Sequence, residues 1–426
     1  MAGAAPGVRF NREYFGYIAG YPSGEIVLTT HEAGPLLERG APLEKIEPFF
    51  LPMLEVRDGF HLHTPLLVWL EITRRCNLTC SHCYVSAGTA RDNELATEEI
   101  FRLIDEFAEM GVWAIAITGG EPTLHKNFVE IVRYARKRNL LVGIATNGMF
   151  LSAELLAALP RDGVIISISL DDLHIVSEKP DREFRSVARA VELTKAAGFS
   201  VNLMTNTHRG NIGKLGELIS WAKGQGISVR SVPFSPLGRG KSVARQLENT
   251  AADVETAASF WFQECQWEHE FHRQTGLCVG VIFNYGLSLA YMTRRCSSGR
   301  YLCYVCSDGT VYPCTMCAGE GILSPGNVRD AGFSVLWRAP WAIRQYSWDN
   351  FAATCQGCPI DSEEYYCASR CPAMSHARHR TLFGCGASDF EILSNVVRTA
   401  MLNGSELGKT TGQPLRVTIS STETGA

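Results

Sequence analysis

The sequence predicts an α/β chain: a partial (βα)6 barrel with a cysteine-rich C-terminal domain and a small N-terminal β-rich unit. Three observations lead there. Six short apolar runs alternate with helical stretches between residues 66 and 235. The cysteines crowd into two places, Cys76–Cys83 and Cys296–Cys385. Residues 10–45 read as strands alternating around a Pro-Ser-Gly turn, followed by a helix.

In chain order, FGYIAGYPSGEIVLTT reads as strands about that turn, and HEAGPLLERG as a helix ended by Gly, within an appendage spanning 1–64. LLVWLEI, VWAIAITGG, LLVGIATNG, VIISISLDD, FSVNLMTN and ISVRSVPFSP follow within 65–240. Each is a continuous apolar run of strand length, the pattern of parallel strands covered on both faces. TEEIFRLIDEFAEMG, KNFVEIVRYARKRN, SAELLAALP, REFRSVARAVELTKAAG and NIGKLGELISWAKGQG lie between them with helical spacing, several closed by Gly or Asn. Parallel strands joined by right-handed crossovers form barrels whose chemistry sits on loops after the strand C-termini. Residues 241–290 read as a helical connector, 291–395 as the cysteine-rich domain and 396–426 as a polar tail.

At 46% hydrophobic and 20% charged residues the 426-residue chain has the composition of a globular protein. It has no apolar run of about 18 residues, so no membrane span is expected. A net charge of -4 supplies no basic field for nucleic acid. The start, MAGAAPGVRFNREYFG, lacks the apolar core of a secretory signal, and a cytoplasmic location is expected. Fifteen cysteines are not needed to staple a core this large, which points to metal.

The first apolar run leads into EITRRCNLTCSHCYV, placing Cys76, Cys80 and Cys83 on one loop with C-x3-C-x2-C spacing. Three thiolates can hold three corners of a cubane cluster and leave one iron open. A zinc knuckle would want a fourth ligand, and His82 is the one nearby. The next runs end in Thr118-Gly119-Gly120-Glu121-Pro122, in Thr146-Asn147-Gly148, and in Ser167, Ser169 and Asp171. Taken alone these are ordinary turns and helix N-caps.

With Asn77, Leu78 and Tyr84 around them, Cys76, Cys80 and Cys83 resemble the signature loop of the radical S-adenosylmethionine (SAM) superfamily. The resemblance implies a [4Fe–4S] cluster whose open iron binds SAM, and an electron that yields methionine and a 5′-deoxyadenosyl radical. Thr118–Pro122 resembles the family's Gly-Gly-Glu-Pro motif, which implies that Gly119, Gly120 and Glu121 meet the methionine ammonium. Thr146, Asn147, Ser169 and Asp171 resemble residues that reach the ribose and carboxylate of SAM. His82 holds the place of a residue whose backbone meets adenine, and Arg182 or Arg185 that of a following arginine.

The second cysteine group runs Cys296-SSGRYLCYVCSD-Gly309-TVYP-Cys314, then Cys355-QG-Cys358, Cys367-ASR-Cys371 and Cys385. It resembles the SPASM extension of radical SAM enzymes, although the eight residues between Cys358 and Cys367 exceed the family's usual interval. Paired zinc ribbons are the plainer reading of C-x2-C alone. The likeness implies one auxiliary cluster on Cys296, Cys314 and Cys371 and another on Cys355, Cys358, Cys367 and Cys385. That makes three [4Fe–4S] clusters. The first auxiliary set is one thiolate short, and Cys278, Cys303, Cys306 and Cys317 are candidates beside an open site. Cys265 reads as a plain buried thiol. PFSPLGRG, with Arg239, resembles a stretch near the SPASM substrate cavity; alone it reads as a linker.

SPASM enzymes mostly modify peptides and proteins, and the N-terminal unit resembles a peptide-recognition region whose strands could take a leader peptide by β-addition. The resemblance implies a maturase that abstracts hydrogen from a ribosomally made precursor peptide. Its expected partners are that peptide, an electron donor such as flavodoxin or ferredoxin, and a separate leader-peptide-binding protein. Formylglycine formation on sulfatases, tetrapyrrole side-chain modification and a non-catalytic metal scaffold or electron carrier are the alternatives. Thr315 after Cys314 speaks against sulfatases, whose maturases carry an acidic residue there.

Overall fold

The computed structural model describes residues 7–51, 54, 56, 59–173, 184–253, 256, 275–293, 295–356 and 370–385. Cys265, Cys358, Cys367, Arg182 and the expected tail lie outside the described residues.

Arg9–Glu13 (β1), Gly16–Gly20 (β2) and Ile26–Thr29 (β3) form an antiparallel sheet in that order. Gly34–Glu38 (α1) and Leu43–Ile46 (α2) follow. The outer edge of β3 is not open: Thr29 bridges to Phe50, and Leu51 N donates to Leu28 O at 2.9 Å. β1 faces the barrel through Asn11, whose Nδ2 donates to Gly111 O at 3.1 Å and whose Oδ1 accepts from Trp113 Nε1 at 3.2 Å. Arg9 Nη2 donates to Asn139 O at 2.7 Å. Gly111 and Asn139 precede barrel strands, so this unit covers the end of the barrel opposite the strand C-termini.

All six expected barrel strands are present, parallel and in sequence order: Leu67–Glu71 (β4), Ala114–Thr118 (β5), Leu141–Thr146 (β6), Val164–Ser169 (β7), Ser200–Thr207 (β8) and Ser228–Pro233 (β9). Thr97–Met110 (α3), Phe128–Lys137 (α4), Ala153–Ala158 (α5), Phe184–Ala196 (α6) and Leu215–Gly224 (α7) make the crossovers. α3 stops at Gly111, whose φ of 88° is a left-handed turn that glycine adopts without strain. Gly240–Leu247 (α8) follows β9.

Alternate strand residues build two cores. Val68, Leu70, Ile115, Ile117, Val142 and Ile144 pack under the helices. Leu67, Ala114, Ala116 and Leu141 pack with Val279, Ile282 and Leu289 of Val279–Thr293 (α9). Small residues admit that helix: a Cβ on Gly143 would sit 3.1 Å from Val279 Cγ1.

The cysteine-rich region begins inside the barrel sheet. Leu302–Val305 (β10) pairs parallel with β4, from Leu302 opposite Leu67 to Val305 opposite Leu70. Thr310–Tyr312 (β11) and Gly326–Asn327 (β12) continue antiparallel, giving nine strands in the order β12-β11-β10-β4-β5-β6-β7-β8-β9. β10 thus covers the edge that β4 would otherwise expose. Glu71, 0% exposed, seals the joint by accepting from Tyr304 Oη at 2.6 Å and Ser307 Oγ at 2.8 Å, with Arg74 Nε at 3.0 Å. Thr315–Glu320 (α10), Phe333–Arg338 (α11), Ala352–Cys355 (α12) and Pro372–His379 (α13) complete this region. Among the described residues no helix is long and apolar enough to cross a membrane.

Candidate active site

Cys76, Cys80 and Cys83 lie on the loop after β4, at the end where chemistry was expected. Cys76 N donates to Gly88 O at 2.7 Å, and Cys83 N to Cys80 O at 3.2 Å, which folds the loop back on itself. Two sulfurs accept backbone bonds, Cys76 Sγ from Leu78 N at 3.4 Å and Cys83 Sγ from Ala87 N at 3.3 Å. Such bonds suit thiolates that share cluster charge. Burial raises the Cys76 thiol above its ordinary pKa, and the negative charge of Glu121 adds to the effect.

Arg239 clasps this loop from the other end of the barrel sequence. Its Nε donates to Cys80 O at 2.9 Å, its Nη1 to Ala87 O at 2.6 Å and its backbone N to Cys83 O at 3.1 Å. Gly238, at φ 53°, lets the clasp close, because a Cβ there would lie 2.4 Å from Tyr84 O. The stretch PLGRG is therefore part of the loop's support and more than a linker.

Gly120 N donates to Thr73 O and Glu121 N to Arg75 O, both at 2.8 Å. A Cβ on Gly119 would meet Thr73 O at 2.3 Å, and one on Gly120 would meet Arg75 O at 2.4 Å. These glycines admit the backbone leading to Cys76. Glu121, 0% exposed, turns inward: Oε1 accepts from Thr123 Oγ1 at 2.6 Å and Thr146 Oγ1 at 2.7 Å, and Oε2 from Asn147 N at 2.7 Å. It staples the rim of β5 to that of β6. Burial still raises its pKa against these bonds. Asn147 Nδ2 reaches Asn77 Oδ1 at 2.9 Å and ties that rim to the cysteine loop.

His82 Nε2 lies 3.4 Å from Asp171 Oδ2, while Asp171 Oδ1 accepts from Asn206 N at 2.8 Å. His208, at the end of β8, stacks at a tilt 6.1 Å from His82, and burial lowers its pKa. His208 belongs to no motif, and its one signal in the sequence is a polar residue closing a barrel strand. Ser169 is half-buried at the end of β7, opposite Met204. Ser167 lies lower on that strand and donates to Asn202 Oδ1 at 2.6 Å. Arg185 lies on α6.

In the cysteine-rich region, the charges of Cys314, Cys371 and Cys296 bear on Cys317. Cys314 caps α10, with its Sγ accepting from Cys317 N at 3.5 Å. The Cys317 thiol also donates to Cys314, holding the Cys314 pKa at about 7 and raising that of Cys317. Cys355 ends α12, and Thr354 Oγ1 donates to Phe383 O at 2.6 Å, bringing that helix beside the segment of Cys385. Among the described residues no three metal-ligating side chains close on a single ion. The donor chemistry fits iron–sulfur clusters, whose thiolates bind separate irons.

The family model for the radical SAM superfamily matches residues 70–222, and that for SPASM, an iron-sulfur cluster-binding domain, matches 296–359. The mycofactocin maturase MftC of Mycobacterium ulcerans is 30% identical over 315 residues, which cover 72% of this chain and 84% of the relative. The chain belongs to the radical SAM superfamily. This radical SAM enzyme is also 30% identical over 305 residues to an AdoMet-dependent heme synthase of Oleidesulfovibrio alaskensis, covering 66% of this chain and 76% of that one. Its fold is shared with Streptococcus suis SuiB bound to precursor peptide SuiA, at a TM-score of 0.59 and 16% identity over 80% of this chain and 89% of SuiB. Native anSMEcpe with bound AdoMet and Kp18Cys peptide gives a TM-score of 0.60 at 16% identity, over 82% of this chain and 100% of that one. SAM and iron–sulfur clusters are the cofactors of the two matched families.

Proposed function

We propose that this enzyme matures a ribosomally made precursor peptide. The observation that carries the reading is the likeness to a mycofactocin maturase over 84% of that relative's length. Cys76, Cys80 and Cys83 would hold a [4Fe–4S] cluster, which when reduced would supply the electron that splits SAM into methionine and a 5′-deoxyadenosyl radical. The protein's own residues orient and shield. Gly119 and Gly120 face the methionine end with the buried charge of Glu121 behind them. Thr146, Asn147 and Ser169 serve the ribose and carboxylate. Asp171 fixes His82, whose backbone would meet adenine. Cys296, Cys314 and Cys371 would hold one auxiliary cluster and Cys355, Cys358, Cys367 and Cys385 another, which would serve electron transfer with the substrate or with a flavodoxin- or ferredoxin-like donor. The N-terminal unit takes the leader peptide, or a separate leader-binding protein presents it.

The test incubates anaerobically reconstituted enzyme with reductant, SAM and the peptide encoded by a short reading frame adjoining its gene. The expected result is 5′-deoxyadenosine and a changed peptide mass, both lost in Cys76→Ala. The heme synthase likeness makes a tetrapyrrole precursor of heme the rival substrate; its conversion beside an unchanged peptide would refute the peptide reading. Intact SAM would refute catalysis altogether.

A further inference from the structure

Four cysteines competed for the missing ligand of the first auxiliary site, and their surroundings separate them. Cys303 is 0% exposed, in the same apolar core as Phe333 and Trp337. Cys306 is packed near Glu71, Arg74 and Asp308 at the barrel joint. Cys278 sits before α9 in the inner core, its Sγ 3.8 Å from Thr275 Oγ1.

We propose that Cys317 is the fourth thiolate of the first auxiliary cluster, closing that site. Cys314 and Cys317, three apart on one helical turn, point to the same side of α10. Cys317 N lies 3.5 Å from Cys314 Sγ. Ser298 hydrogen-bonds to both Cys296 and Cys314, joining the loop before β10 to α10. Cys371 caps α13, which packs on α10; Glu320 at the end of α10 takes His376 of α13 at 3.2 Å. The charges of Cys314, then Cys371, then Cys296 bear on the Cys317 thiol, as expected where the three segments meet.

The inference rests on the auxiliary-cluster reading above and sharpens it. Four thiolates from three segments occupy every iron of a cubane, so no iron is free to bind substrate or another exchangeable ligand. The first auxiliary site is then an electron relay.

The test uses the full chain carrying Cys76→Ala, Cys80→Ala and Cys83→Ala, so that all remaining iron is auxiliary. Anaerobic reconstitution should give about eight irons. Adding Cys317→Ala, or Cys317→Ser, is expected either to remove about four irons or to leave a cluster whose EPR signal shifts on adding cyanide. Cys303→Ala and Cys306→Ala should do neither. Far-UV circular dichroism separates lost ligand from lost fold. The proposal is overturned if Cys317→Ala keeps full iron and a cyanide-insensitive signal, or if Cys303→Ala or Cys306→Ala gives the loss instead. A background without iron overturns it together with the auxiliary clusters. Failure to modify a peptide bears on the function alone, because neither readout uses a substrate.

Discussion

Replacing Arg239 with Ala removes two hydrogen bonds from the cysteine loop, to Cys80 O at 2.9 Å and Ala87 O at 2.6 Å. Bonds from a charged donor contribute about 1.5–3 kcal/mol each. The guanidinium is half-buried, so water replaces part of this, and the lower bound of about 3 kcal/mol for the pair is the better figure. That loss raises the open population of the loop about a hundred-fold. The assay is anaerobic release of iron to a chelator. In Arg239→Ala about four irons should leave about a hundred-fold faster than in the parent. Auxiliary iron should leave at the parent rate, and SAM cleavage should fall with the lost cluster. Arg239→Lys keeps the charge without the fork and should lie between. If Arg239→Ala releases iron and cleaves SAM as the parent does, PLGRG is only a linker and the clasp argument fails.

Three further outcomes follow from named contacts. A Cβ in Gly319→Ala would lie 2.8 Å from Tyr84 O, so α10 and the cysteine loop must part by several tenths of an ångström. This should destabilise by about 1–3 kcal/mol, and an unchanged thermal midpoint would contradict it. Glu121→Gln turns amide hydrogens toward the donors of Thr146 and Asn147 and should weaken SAM binding about tenfold or more by titration calorimetry; parent affinity would rule out the staple. Burial lifts Glu13 to about 7, opposed by the His63 backbone N–H and ring. Because the folded value exceeds the unfolded one, the protonated carboxyl favours folding. Stability is full below about pH 4.5 and falls by about 3 kcal/mol as pH rises to about 7. Glu13→Gln should flatten urea midpoints between pH 5 and 8; a slope equal to the parent's would refute the assignment.

The six barrel strands were legible because strands covered on both faces must be apolar throughout, and each such run ends where a strand ends. β1 was not, since RFNRE holds one apolar residue and owes its place to Asn11 and Arg9 side-chain bonds. The pairing of β10 with β4 was equally hidden: LCYV reads as part of a cysteine motif, and no local pattern names a strand's neighbour. The cysteine loops declared themselves by spacing. Cys317 did not, because its relation to Cys371 and Cys296 exists only once α10 packs on α13. Arg239 binds carbonyl oxygens, which every residue carries, so its partners leave no trace in the sequence.

One short helix joins the two metal regions. α10 starts at Cys314 and brings Gly319 against the carbonyl of Tyr84, beside Cys83, a rise of about 7.5 Å over five residues. Both ends are anchored in the same nine-stranded sheet. If both cysteine groups hold the clusters proposed, the spacing between them is thus a fixed dimension of the fold, not an outcome of two domains finding each other. Electron passage between such clusters would need no docking event, so its rate should be insensitive to solvent viscosity.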